Sequence, residues 1–139
     1  MRTKNATLNY STRGAGDFID ITEDVRNAVS KSGIREGFAL IFAVGSTCGI
    51  TTFEYEGGLK SDMRNFYEKL VPSSSGYEHD RTWGDANGFS HIRASLCGQS
   101  FSVPFSRGEL FLGTWQQIVL AEFDIRKRNR KVVVYIQGE

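Results

Sequence analysis

The sequence predicts a single-domain α+β protein with mixed, mostly antiparallel sheets and two or three helices. Strand-like alternation and helix-like periodicity follow one another along the chain without the strict strand–helix–strand repeat of doubly wound parallel sheets. The 139 residues suffice for one hydrophobic core and leave no room for a second. With 40% hydrophobic and 24% charged residues the chain can bury that core and keep a solvated surface, so a disordered polypeptide is excluded.

Thr3 to Ser11 alternates loosely and reads as a first strand. The cluster Arg13-Gly14-Ala15-Gly16-Asp17 is a turn before a short strand, Phe18 to Ile21, and the two strands are expected to form an opening hairpin. Thr22 offers an N-cap oxygen, Glu23 and Asp24 place negative charge in the first turn, and Val25, Ala28 and Val29 recur at helical spacing up to a stop at Gly33. Phe38 to Val44 is almost wholly apolar and reads as a central strand; Ile50 to Tyr55 reads as the next. The residues between them, Gly45-Ser46-Thr47-Cys48-Gly49, must then be a tight connection with exposed backbone N–H groups. Leu59, Met63, Phe66, Tyr67 and Leu70 form one apolar helical stripe, ended by Pro72.

Ser73 to Phe89 keeps no period of either kind, and loops of this length in compact domains tend to be functional. Ser90 could cap a short helix that carries His91 and closes at Gly98. Strands follow at Ser100 to Phe105, at Leu110 to Phe123 in one or two pieces, and at Lys131 to Gln137.

Seventeen basic against sixteen acidic side chains leave a formal charge of +1, so the chain as a whole has no pull on nucleic acid or anionic membrane. Arg126 to Lys131 holds a dense basic run, either a phosphate-binding tip or a solvated one. It lacks the aromatic interleaving of single-strand readers, and no nucleic-acid partner is expected. Met1 to Asn5 leads into alternating residues with no apolar leader and no bilayer-spanning run, so a cytoplasmic protein without a membrane partner is expected. Cys48 and Cys97, the only cysteines, sit among small or apolar residues in no metal-ligand spacing.

Chemistry concentrates between Tyr77 and His91. His79, Asp80, Asp85, Asn87 and His91 bring both histidines of the chain together with carboxylates. Such a set could ligate a divalent metal or act as general acid and base; the alternative is a surface loop of Asx turns and backbone-bonded imidazoles. Ser46 and Thr47 form a second candidate, because N–H groups and hydroxyls can cradle phosphate without net charge, although no Walker lysine is present. Gly113-Thr114-Trp115-Gln116 interrupts an apolar stretch and marks either a ligand approach or a buried core tryptophan.

Taken together, Asp20-Ile21-Thr22, His79-Asp80, Asp85-x-Asn87, His91-Ile92-x-Ala94-Ser95-Leu96-x-Gly98, Gly113-Thr114-Trp115-Gln116, Glu122 and the Gln137-Gly138-Glu139 tail resemble the YjbQ family, also called UPF0047. The resemblance runs in order over nearly the whole chain. It implies an α+β homotrimer with a low thiamine-phosphate synthase activity, joining a pyrimidine pyrophosphate to a thiazole phosphate with release of pyrophosphate. It implies His79, Asp85, Asn87 and His91 as the catalytic set and Ser46 and Thr47 as phosphate contacts. Glu54, Asp80, Trp115 and Gln116 would touch substrate, and a divalent ion, magnesium or zinc, would be held by His79 and His91. A trimeric module that binds or senses a small phosphorylated metabolite without turnover is the alternative. One position departs from the pattern: Gly45 stands where the family carries histidine. On that resemblance, Gly45→His is expected to raise activity.

Overall fold

A computed structural model describes residues 1–139. The elements are β1 Arg2–Ser11, β2 Phe18–Asp20, α1 Thr22–Ser32, β3 Glu36–Val44, β4 Cys48–Phe53, α2 Gly57–Leu70, α3 Glu78–Trp83, α4 Gly88–Cys97, β5 Ser100–Ser106, β6 Glu109–Leu110, β7 Gln117–Glu122 and β8 Asn129–Gly138. A five-stranded sheet has the order β1-β8-β3-β5-β6, and a three-stranded sheet the order β2-β7-β4. All pairings are antiparallel. The α+β class expected from the sequence is the observed one.

Several local expectations are corrected. β1 and β2 form no hairpin: β1 pairs with β8, and β2 pairs with β7 in the other sheet. Turn residues at 13–17 hand the chain from one sheet to the next, a distinction that local composition does not encode. Thr22 lies inside α1; its hydroxyl donates to Asp20 Oδ1 and accepts from the Ile118 N–H, tying helix to strand. Gly33 closes α1 in the left-handed region as expected. The long stretch before Phe89 contains α3, which makes four helices, and α3 is too short to show a period. Phe66 and Leu70 of the supposed buried stripe are exposed, while Tyr67 is buried. Ser90 is not a cap but a buried residue of α4 whose hydroxyl has no partner. The stretch from Leu110 to Phe123 splits into β6 and β7, which belong to different sheets.

β7 organises the interior. Its Ile118 and Leu120 face the five-stranded sheet and α1, meeting Ile41, Val103, Val134 and Val29 in the main core. Its Val119 and Ala121, followed by Phe123, face the other way onto Tyr67 of α2 and Ala94 of α4. Every residue of β7 after Gln117 is buried, so this strand has core on both sides, unlike the half-exposed strands of the larger sheet. The outward residues Phe38, Phe42, Val44 and Tyr135 leave an apolar face on the larger sheet open to solvent. No helix is long and apolar enough to cross a membrane.

Candidate functional site

The connection Gly45–Thr47 carries the chain from the larger sheet into the smaller one. At that corner the end of β7, the start of β8 and the start of α4 meet around a cavity of about 290 Å³. Strand alternation decides what points in. On β8 Val132, Val134 and Ile136 face the core, and the same parity turns Arg130 inward while Lys131 stays in solvent. At the end of β7, the parity that buries Leu120 also buries Glu122.

Glu122 is fully buried and Arg130 is 8% exposed. Arg130 Nε donates to Glu122 Oε2 at 2.7 Å, and Arg130 Nη2 donates to Oε1 at 2.5 Å. Thr12 Oγ1 and the Asp124 N–H also donate to the Glu122 carboxylate, so every lone-pair direction is served. Thr47 links this pair to a second one: its hydroxyl accepts from Arg130 Nη2 at 2.7 Å and donates to Asp124 Oδ2 at 3.1 Å. Arg128 Nη2 lies 2.6 Å from the same carboxylate oxygen. Burial pushes the Asp124 carboxyl up, but hydrogen bonds from Arg128 and Thr47 outweigh it and hold the group below its ordinary value.

The basic run is therefore not one surface. Arg128 and Arg130 turn in to serve buried carboxylates, while Arg126, Lys127 and Lys131 are exposed. Sequence reading missed Glu122, Asp124, Arg128 and Arg130 as members of a site. The available signal was two carboxylates, Glu122 and Asp124, closing a buried strand just before that run.

His79 and His91 meet with ring centroids 4.6 Å apart in an edge-to-face arrangement. His79 Nε2 lies 3.0 Å from the Asn87 side-chain amide and 3.7 Å from Asp85 Oδ1. An amide oxygen there would face only acceptors; with nitrogen inward Asn87 donates to His79 Nε2 and to both oxygens of Asp85. Ala86, between the two partners, has φ of 56°, an unusual conformation for a residue with a Cβ, and it turns Asp85 and Asn87 onto the same imidazole. His91 lines the cavity with Asn87, and its ring nitrogens have no hydrogen-bond partner in the chain.

The remaining expected residues divide. Asp80 accepts the Gly88 N–H at 2.8 Å and so holds the start of α4; a Cβ at Gly88 would lie 2.9 Å from that carboxylate. Ser46 lines the cavity and is exposed, with a free hydroxyl, whereas the Thr47 hydroxyl is fully engaged. Glu54, Trp115 and Gln116 are not at this cavity. They sit at the opposite end of the β4–β7 ladder, beside the Phe53–Gln117 pair, with Gln116 donating to Thr52 Oγ1. Trp115 is 71% exposed, so it is neither a core tryptophan nor part of a strand.

No three His, Cys, Asp or Glu side chains converge so as to hold a metal ion. No further ligand joins His79 and His91, and Nε2 of His79 is already taken by Asn87, so the two histidines do not fit the divalent ion that the resemblance implies. Both cysteines are free; burial pushes the Cys97 thiol up to about 11 and raises Cys48 as well, which keeps them protonated.

Fold and site define a two-sheet α+β protein with a buried double ion pair and a histidine pair at one sheet corner. The family pattern of the YjbQ-like UPF0047 proteins matches residues 6–139, and the chain belongs to that family. A UPF0047 protein of Archaeoglobus fulgidus is 41% identical over 127 residues, covering 91% of this chain and 96% of its own. The UPF0047 protein YugU of Bacillus subtilis is 36% identical, covering 95% and 98%. Among solved structures, a protein of unknown function from Sulfolobus solfataricus superposes with a TM-score of 0.89 at 33% identity, covering 99% of this chain and all of its own.

Proposed function

We propose that the corner cavity binds the phosphate of a small phosphorylated metabolite in the cytoplasm, and that thiamine-phosphate synthase turnover on it is low. One observation carries the reading. Nη1 of Arg130 and Nη1 of Arg128 have no acceptor in the chain, and neither have the backbone N–H groups of Gly45, Ser46 and Thr47. Five unsatisfied donor groups around one small polar cavity suit an anion.

Low turnover follows from charge. Release of pyrophosphate needs strong local positive potential, but each arginine is already partnered by a buried carboxylate. His91 is the one cavity group free to move a proton. Non-catalytic sensing is the second reading, favoured by Gly45, which leaves the histidine of the family without a counterpart.

Titration calorimetry with inorganic pyrophosphate, and an assay with pyrimidine pyrophosphate, thiazole phosphate and magnesium, test both. Arg128→Ala is expected to weaken pyrophosphate binding about tenfold. His91→Ala is expected to keep binding and lose turnover. Binding without turnover in the unmodified protein selects the sensing module, and absence of binding rejects the reading.

The exposed apolar face of the larger sheet supports self-association as the homotrimer that the resemblance implies. Light scattering should give a trimer mass; a monomer at micromolar concentration rejects it.

A further inference from the structure

A second, larger depression lies on the other side of the segment Phe123–Ile125. Asp124 points to the corner cavity, whereas Phe123 and Ile125 line an open groove of about 710 Å³ between the 13–17 turn, α2 and the start of α4. That volume is in the range of sites for small organic ligands.

The groove has a prepared cation. Arg64 of α2 takes part in none of the ion pairs of the molecule, yet it is held at three points. Its Nε donates to the Gly16 carbonyl at 2.8 Å, and its guanidinium lies 5.6 Å over the Phe18 ring. Its stem passes where a Cβ at Gly16 would sit, 3.3 Å from both Cγ and Cδ. The positive φ of Gly16, 84°, excludes most side chains independently. An arginine fixed by a carbonyl, a ring and a glycine notch, with both Nη groups free, is organised for an acceptor from outside the chain.

Its surroundings agree. Arg13 at the same rim is largely exposed and only loosely paired with Asp17, at 3.5 Å. Arg93 and Glu68 also line the groove but neutralise each other at 2.8 Å. The backbone N–H groups of Gly14 and Ala15 donate to no acceptor in the chain. The inner wall is apolar: Ile125, 45% exposed, stands over the nearly buried rings of Tyr67 and Phe123, whose centroids are 4.8 Å apart, with Phe18 and Phe89 beside them. Guanidinium groups and free N–H groups at one rim suit a phosphate, and an apolar wall of Ile125 and the accessible margins of these rings suits a flat apolar ring.

We infer that this groove is a second binding site, for a small phosphorylated molecule that carries an aromatic ring, with Arg64 as the phosphate anchor. It is separate from the corner cavity and does not depend on what that cavity binds.

Adenosine 5′-monophosphate serves as the probe, with adenosine and ribose 5-phosphate as half-molecules, followed by calorimetry and amide NMR on the full chain. Adenosine 5′-monophosphate is expected to shift the amides of Gly14 to Gly16 and to bind more tightly than either half. Arg64→Gln should weaken it about tenfold, and Arg64→Lys should recover part of the loss. Ile125→Glu, an exposed change that puts a negative charge on the opposite wall, should weaken it too. Arg128→Ala, which damages the corner cavity, should leave it unchanged, while Arg64→Gln should leave pyrophosphate binding at the corner unchanged. Shifts confined to residues 45–47, unaltered affinity in Arg64→Gln, or ribose 5-phosphate binding as tightly as the whole probe would each overturn the inference.

Discussion

The two ends of the β4–β7 ladder contrast sharply. At one end Cys48 pairs with Glu122, and the residues around them bury two carboxylates with two arginines. At the other, five register steps and roughly 17 Å away, Phe53 pairs with Gln117 and an exposed Trp115 stands in a turn. Composition suggests the reverse, a tryptophan inside and a basic run in water. Cover is what decides: residues of β8 and α4 close over the corner end, whereas Trp115 at the other end is left exposed. The charges inside such a corner must pair, because an unpaired buried charge is expensive; Asp124 Oδ1 is the one carboxylate oxygen of the two pairs left without a hydrogen bond.

The largest break in the contrast comes from Arg130→Met. It strands the fully buried Glu122 and should cost about 3–5 kcal/mol, a large part of the stability of a domain this size, read by urea denaturation.

Next comes Gly45→His, for which the local geometry supports a different expectation from the one drawn from the family. Gly45 is not a positive-φ position. The obstacle is spatial, since a Cβ there would lie 2.8 Å from Arg130 Nη1 and 3.0 Å from Cys48 Sγ. Arg130 cannot withdraw without loosening Glu122. The substitution should destabilise by about 1–3 kcal/mol and lower anion binding at the corner. A stable variant with raised activity would show that Arg130 can yield.

The acid limb of the stability profile sharpens the comparison further. The folded Asp124 carboxyl titrates below its ordinary range, so its contribution is fully present above the unfolded value and is lost as pH falls through the folded one. Asp124→Asn should therefore be less stable at neutral pH and lose less stability on acidification than the unmodified protein. Equal acid slopes in thermal melts at stepped pH would reject the assignment.

The smallest effect belongs to the far end. Trp115→Ala removes a side chain that the fold does not bury and should change stability by no more than about 0.5 kcal/mol. A larger loss that disappears on dilution would place Trp115 in a contact between copies of the chain.

Much of the architecture was legible in the residues themselves. α1 followed from its acidic first turn, its apolar spacing and Gly33, and β3 from seven consecutive apolar residues, Phe38 to Val44. The histidine pair was legible because the loop between its members is short enough to return on itself. Local signals misread the opening hairpin and the cap at Thr22, because the partners in β8 and β7 lie far away in the chain, and the cap at Ser90, because burial in α4 leaves its hydroxyl without a partner; of the two readings of Trp115 they leave open, exposure removes the buried core one.

The sequence by itself determined the class of fold, the family, most elements and the presence of a polar cluster near His79 and His91. Alternation and helical periodicity are local signals, written wherever one face of an element is buried. Only the tertiary structure decided which sheet each strand joined, that Arg128 and Arg130 turn inward while Lys131 does not, and that Arg64 stands ready without an acid. Those outcomes depend on which layers cover a given end of a strand, and contacts between residues a hundred positions apart, such as Thr12 with Glu122, leave no periodic trace.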